Sequence, residues 1–328
     1  MPDNKVNGFL EYLKKERSYS PHTIKAYETD LIQFSRFVKE YGGTGSFDVS
    51  SVDKKTVQHF VGSLTEKGLS PKSTGRKLAS IKSFFRYLLK QGLVESNPAS
   101  LVEGPKQPPK LPQVIQKEIM DELLTPLEFD DWQIRRDRTI VELFYSTGIR
   151  LSELTQLDLK DIQFDKKEIK VLGKRRKERI VLFGDKAAMA LSLYLIDRMI
   201  WSQLLGLYPQ LYLRKNLTDN PLFISEKGRR VTSREVQLRF KFFFEHVALN
   251  LSKAKRKSKS ELSKVLSSIN ATPHLIRHTF ATHLLNGGAS VQSVGELLGH
   301  ASLSSTQIYT HLDRKKMKED FEQAHPHA

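Results

Sequence analysis

Tyr309 stands in Thr306-Gln307-Ile308-Tyr309-Thr310-His311, nine residues after His300, which follows Gly299 at the end of an apolar helical run. Taken singly, both have ordinary explanations. A tyrosine on a short helical segment is usually a half-buried packing residue, and a histidine at a helix C-terminus is satisfied by the helix dipole. Upstream lies His274-Leu275-Ile276-Arg277-His278, opened by Thr272-Pro273, a cap followed by a first-turn proline. His274 and Arg277 are three residues apart and share a helix face. Arg150 stands between Gly148, which ends one helix, and Ser152, which can begin the next. Its side chain either projects into a cleft or pairs on the surface with Glu153. Lys174 belongs to the turn Gly173-Lys174-Arg175-Arg176-Lys177, where a lysine is either solvated or a mobile ammonium able to donate a proton.

Together the six residues read differently. Arg150, Lys174, His274, Arg277 and His300 make a cationic cage, and Tyr309 is the evident nucleophile. Such a cage suits the trigonal-bipyramidal state of a phosphodiester, whose non-bridging oxygens gather charge. An arginine can hold two of those oxygens at once. A free phenol has a pKa of about 10, so it needs cations and a base to attack at neutral pH. His274 and His278 are also spaced for a metal, but the stretch has no carboxylate or HExxH pattern, and the chain has no cysteine. The expected cofactor set is therefore none, and the expected metal set none.

The elements that position these residues fall into two domains. The first hundred residues read as four helices. Lys5–Glu16 carries Phe9, Leu10, Tyr12 and Leu13 at helical spacing. Ser20-Pro21 starts a second helix with the stripe Ile24, Tyr27, Leu31, Phe34 and Phe37, which stops at Gly42-Gly43. Lys54–Lys67 ends at Gly68, and Ser70-Pro71 starts a fourth helix that stops at Gly92. From Ser70 to Val94 that last helix holds Lys72, Arg76, Lys77, Lys82 and Arg86 among its cations and no acid. A solvated face usually mixes signs, so this one is expected to contact phosphate. The five prolines of Asn97–Pro112 mark a linker, placed at 101–112. A catalytic domain follows over 113–328, with helices at Lys117–Leu124, Arg135–Ser146 and Ser152–Gln156. A β-hairpin is expected from Glu168–Leu172 and Arg179–Phe183, and more helices after Asp185. The expected fold class is mainly α with a small β-hairpin in the catalytic domain.

Composition sets the outer limits. The chain of 328 residues has 53 basic and 37 acidic side chains, a net +16, with 39% hydrophobic residues. Residues 1–100 contribute 16 basic and 10 acidic side chains, so both domains are basic and both can touch one polyanion. The longest apolar run, Ala187–Ile196, is too short to span a bilayer, and the first residues lack a signal-peptide core. A cytoplasmic location with no membrane partner is expected. The absence of cysteine excludes disulfides and thiolate chemistry.

At these residues the chain resembles the tyrosine recombinase (phage integrase) family, and within it the Xer recombinases. The family order of Arg, Lys, His-x-x-Arg, His or Trp, then Tyr is matched by Arg150, Lys174, His274, Arg277, His300 and Tyr309. The stretches TGIRLSEL, TPHLIRHTFATHLLNGGA, LLGHASLSSTQIYTH and HPHA look Xer-like. The N-terminal helical module is similar to the family's SAM-like core-binding domain. The resemblance implies that Tyr309 attacks a scissile phosphate of double-stranded DNA to form a 3′-phosphotyrosine. Lys174 would protonate the leaving 5′-oxygen and His274 would serve as base. Arg150, Arg277 and His300 would hold the phosphoryl oxygens. It further implies a homo- or hetero-tetramer with a second Xer recombinase, a DNA-translocase activator, and resolution of chromosome or plasmid dimers during segregation and cell division. In the family the tail after Tyr309, here Arg314–Phe321, docks on a neighbouring protomer. The open alternatives are a phage or transposon integrase, a type IB topoisomerase, and a DNA-binding protein without chemistry. The spacing from Lys174 to His274 is long for a Xer chain. The excess lies near 199–216 and 250–268, the latter read as a flexible surface insertion or an added DNA contact.

Overall fold

The computed structural model describes residues 4–42, 47–106, 113–127, 130–173, 178–206, 220–253, 257–299 and 311–328, the side chains of 257–259 and 311–316 aside. Two compact units emerge, Met1–Leu111 and Pro112–Ala328.

The first unit contains α1 (Asn4–Lys15), α2 (Pro21–Tyr41), α3 (Lys54–Glu66) and α4 (Pro71–Lys90). Their starts follow the local chemistry. Ser20, Asp53 and Ser70 each accept the backbone N–H of the residue three further on, and prolines occupy the first turns of α2 and α4. The apolar stripes meet in one core, in which Phe34, Phe60, Phe84 and Phe85 are fully buried, as is Phe9. Phe34 meets Phe60 edge-on at 5.1 Å, and Phe9 meets Phe84 at 5.5 Å. Each such side chain contributes about 1.5–3 kcal/mol through burial. Ala99 and Val102 are buried in the same cluster, so packing on this unit continues into the proline-rich segment.

The second unit is built round α6 (Trp132–Thr147), which is buried along nearly its whole length. Before it comes α5 (Lys117–Leu124), and after it the single-turn α7 (Leu151–Leu154). A three-stranded antiparallel sheet follows in the order β1 (Ile162–Gln163), β2 (Glu168–Leu172), β3 (Glu178–Leu182). Ile169 pairs with Val181, and both are buried. The next helices are α8 (Asp185–Leu204), α9 (Ser233–Lys253), α10 (Lys257–Ser268), α11 (Pro273–Asn286), α12 (Val291–Leu298) and α13 (His311–Ala324). The fold is thus mainly helical with one small sheet.

One expectation changes here. The 250–268 region is not a loose insertion: its described residues continue α9 and then form α10. Leu251 and Leu266 are buried in the unit's core, Leu262 packs against it, and Ser263 donates to the Ala248 carbonyl at 2.7 Å. The basic run conceals this packing because its apolar residues are few and correctly spaced. Of the 199–216 region, 199–204 belong to α8, and 207–216 lie outside the described residues. The tail after Tyr309 forms the expected helix over Arg314–Phe321, within α13. Met317, Phe321 and Ala324 of α13 are buried against their own chain, beside α11 and α12. Ser293 donates to Asp320 at 2.5 Å, holding the two ends together.

Candidate active site

Gly148 ends α6 with φ +58°, ψ +23°, the left-handed cap that L side chains rarely adopt. A Cβ there would overlap the Phe280 ring, so glycine is required by conformation and by space. The sharp turn brings Arg150 to the N-cap of α7. Its backbone N–H donates to Glu153 Oε2 at 2.8 Å and its Nη1 to Glu153 Oε1 at 2.9 Å. The pairing with Glu153 does exist, though with a buried carboxylate rather than on the surface, and it does not consume the side chain. Nη2 reaches the Gly299 carbonyl at 3.0 Å, at the end of α12.

Arg277 arrives from α11. Thr272 caps that helix, its hydroxyl accepting the Leu275 N–H at 3.1 Å. The Arg277 guanidinium is buried and donates to the carbonyl oxygens of Gly148 and, at 2.6 Å, Leu298. Burial, with Arg150 close by, lowers its pKa to about 10. A guanidinium held so, with a second cation beside it, would gain from an anion. Arg150 and Arg277 therefore converge on the same two places, the α6–α7 turn and the last carbonyls of α12. His274 sits one turn before Arg277 with its side chain exposed. Lys174, His300 and Tyr309 lie outside the described residues. Among the described residues no group of three or more His, Asp or Glu is placed to hold a metal.

Glu153 is the residue whose importance the sequence left undecided. It is buried, and burial alone would raise its carboxyl. Bonds from Arg179 and Arg150 outweigh that and hold it below the ordinary carboxylate range. Arg179 was not among the candidates, although strand alternation gave a signal: it lies on the same face of β3 as the buried Val181.

In the first unit the basic residues of α4 divide. Lys77 is buried. It donates at 3.0 Å to Asp30 of α2, which also accepts from Arg76 and, at 2.8 Å, from Ser80. Lys77 is therefore not part of the solvent-facing set, because its counter-charge comes from another helix. Lys82 is half-buried and donates to the Ser100 carbonyl at 3.2 Å. Lys72, Arg76 and Arg86 remain exposed.

Comparison with known proteins agrees with this geometry. The phage integrase family model matches residues 113–316, and the phage integrase N-terminal SAM-like domain model matches 6–92. The chain belongs to the phage integrase family. Its relatives include proteins named tyrosine recombinase XerC. The one from Chlorobaculum tepidum is 36% identical over 98% of this chain and 94% of its own length. That of Thermodesulfovibrio yellowstonii is 37% identical over 98% and 96%. Among solved structures, XerH recombinase bound to its palindromic difH substrate is 25% identical over 96% of this chain and 83% of that one, with a TM-score of 0.61. A Tn1549 transposon integrase shares the fold, with a TM-score of 0.65 at 18% identity over 96% and 98% of the two chains. As a tyrosine recombinase of Xer type, this family member breaks and rejoins DNA strands at specific sites. Among its described residues no helix is long and apolar enough to cross a membrane.

Proposed function

We propose that this recombinase uses Tyr309 as nucleophile and resolves chromosome or plasmid dimers in the cytoplasm, as a tetramer on two double-stranded DNA sites. Its co-subunits are copies of itself or a second Xer recombinase, with a DNA translocase as activator. The Tyr309 hydroxyl attacks the scissile phosphorus, forming a 3′-phosphotyrosine, while the 5′-oxygen leaves and takes a proton from Lys174. His274 accepts the phenolic proton and returns it on religation. Arg150, Arg277 and His300 bind the phosphoryl oxygens. One phosphodiester replaces another at each step, so the bond energy is conserved without ATP.

The single observation that carries this reading is the convergence of Arg150 and Arg277, 127 residues apart in sequence, on the Gly148 turn and the Leu298–Gly299 carbonyls. Two guanidiniums so close are stabilised by an anion between them, and a DNA phosphate supplies it. Identity of 36–37% over 98% of this chain to proteins named tyrosine recombinase XerC favours the Xer role over that of a phage or transposon integrase. DNA contact by Lys72, Arg76 and Arg86 is part of the same proposal.

The test is covalent trapping on a nicked suicide duplex that carries a site selected for binding from randomised DNA. Wild-type protein should form a protein–DNA adduct, with or without EDTA, and Tyr309→Phe should bind but form none. Arg277→Ala should lower adduct formation by about 10²–10³-fold with modest loss of binding. An adduct that survives Tyr309→Phe refutes the nucleophile.

A further inference from the structure

Arg179, the second residue of β3, stands outside the six cage positions, yet its side chain is only 11% exposed. Its Nη1 and Nη2 donate to Glu153 Oε1 and Oε2 at 2.6 and 2.9 Å. The same two oxygens accept from Arg150 Nη1 and Arg150 N. One carboxylate therefore bridges two guanidiniums. Arg179 also lies along Gly299: a Cβ on that glycine would fall 2.9 Å from Arg179 Nε and 3.0 Å from its Cδ. The Gly299 carbonyl in turn accepts the other amino group of Arg150. Both anchors of Arg150, the carboxylate and the carbonyl, are thus backed by one side chain. Among the described residues Arg179 Nε has no hydrogen-bond partner, an unmatched buried donor that a simple structural ion pair would not need.

Charge leads to the same place. Glu153 paired with Arg150 alone would make a neutral couple beside the phosphate. With Arg179 added, the trio carries one net positive charge, and the bidentate geometry leaves Arg150 with donors to spare. We propose that Arg179 is a positioning residue for strand cleavage, holding Glu153 and the Gly299 turn so that Arg150 presents its guanidinium to the scissile phosphate. This rests on the assignment of Arg150 to the phosphate cage. A lysine at 179 would supply the charge but could not span both oxygens of Glu153.

The test compares single-turnover adduct formation on two versions of the suicide duplex, one ordinary and one with sulfur in place of the 5′-bridging oxygen. A thiolate leaves without needing a proton, so the sulfur duplex bypasses the proton donor. Arg179→Met should react about 100-fold slower on both duplexes, with DNA affinity unchanged. Arg179→Lys should fall between it and wild type. The double variant Glu153→Gln/Arg179→Met removes the buried carboxylate that has lost one of its two guanidiniums, so it should regain the melting temperature but not the rate. If wild type forms no adduct, the proposed function itself fails. The inference alone is overturned if wild type reacts, Arg150→Ala does not, and Arg179→Met keeps the wild-type rate. It is also overturned if the sulfur duplex restores Arg179→Met, which would place Arg179 with the proton donor, or if rate returns together with melting temperature in the double variant.

Discussion

In the first unit a nearly all-apolar core of α1–α4 encloses one carboxylate, Asp30, the only buried acid among that unit's described residues. In the second, α6 alone buries Arg136, Asp137, Arg138 and Glu142, and Glu153, Arg277, His325 and His327 are buried as well. Several of these groups face an opposite charge from a distant element. Arg136 and Arg239 hold Asp137, and Arg179 and Arg150 hold Glu153. Buried ion pairs add little net stability over apolar packing, but losing one partner is costly. The first unit is thus shaped by fit of apolar faces. The second accepts the desolvation of many charges, and the reward is guanidiniums held in fixed places.

That contrast can be broken, beginning with the largest effect. Asp30→Ala leaves Lys77 buried without its counter-ion and should destabilise the first unit by about 3–5 kcal/mol. Hydrogen exchange followed peptide by peptide should show the loss there and unchanged protection in α6 and α11; equal loss in both would erase the distinction. The next effect is on pH. His325 Nε2 donates to the Tyr145 carbonyl at 2.9 Å, while its Nδ1 accepts the His327 N–H at 2.9 Å, so the ring is held neutral. Burial, with His327 and His283 nearby, lowers its pKa to about 3. Its ordinary value is about 6.5, so between 6.5 and 3 the unfolded chain binds a proton that the folded chain does not. Stability of the second unit should then fall as pH drops through that window, by up to about 1.4 kcal/mol per pH unit from this residue. His325→Phe should flatten the slope, measured by exchange in α6 and α11 between pH 7 and 5; an unaltered slope would dismiss the assignment. The smallest effect sharpens the division within α4. Lys72→Gln and Arg86→Gln should each reduce the salt dependence of DNA binding by about one counter-ion. Lys77→Gln should lower the first unit's stability and leave that dependence alone.

Much of the first unit was legible because its rules are local. Ser20-Pro21 and Ser70-Pro71 announce two helices, and stripes such as Ile24 to Phe37 point to the core. The hairpin, the Thr272 cap and the Gly148 turn were also legible, and with them the places of Arg150 and Arg277. What remained hidden depends on partners far off in sequence. Lys77 read as a phosphate contact because Asp30 stands 47 positions away on another helix. Arg179 passed as one more cation of a basic hairpin because Glu153 lies 26 residues before it. The α9–α10 hairpin was masked by lysines that outnumber the few apolar residues setting its contacts.

His325 and His327 bond to Tyr145 and Glu142 of α6, residues 180 and 185 positions earlier. On a ribosome adding 5–20 residues per second, α6 would wait roughly ten to forty seconds for them. Its glutamate and its Tyr145 carbonyl stay without these partners throughout that interval. Every proposed member of the phosphate cage is therefore synthesised before these two bonds can form. A copy released before His325 would lack both histidines that bond to α6, and with them the last side chains of the second unit's buried polar network.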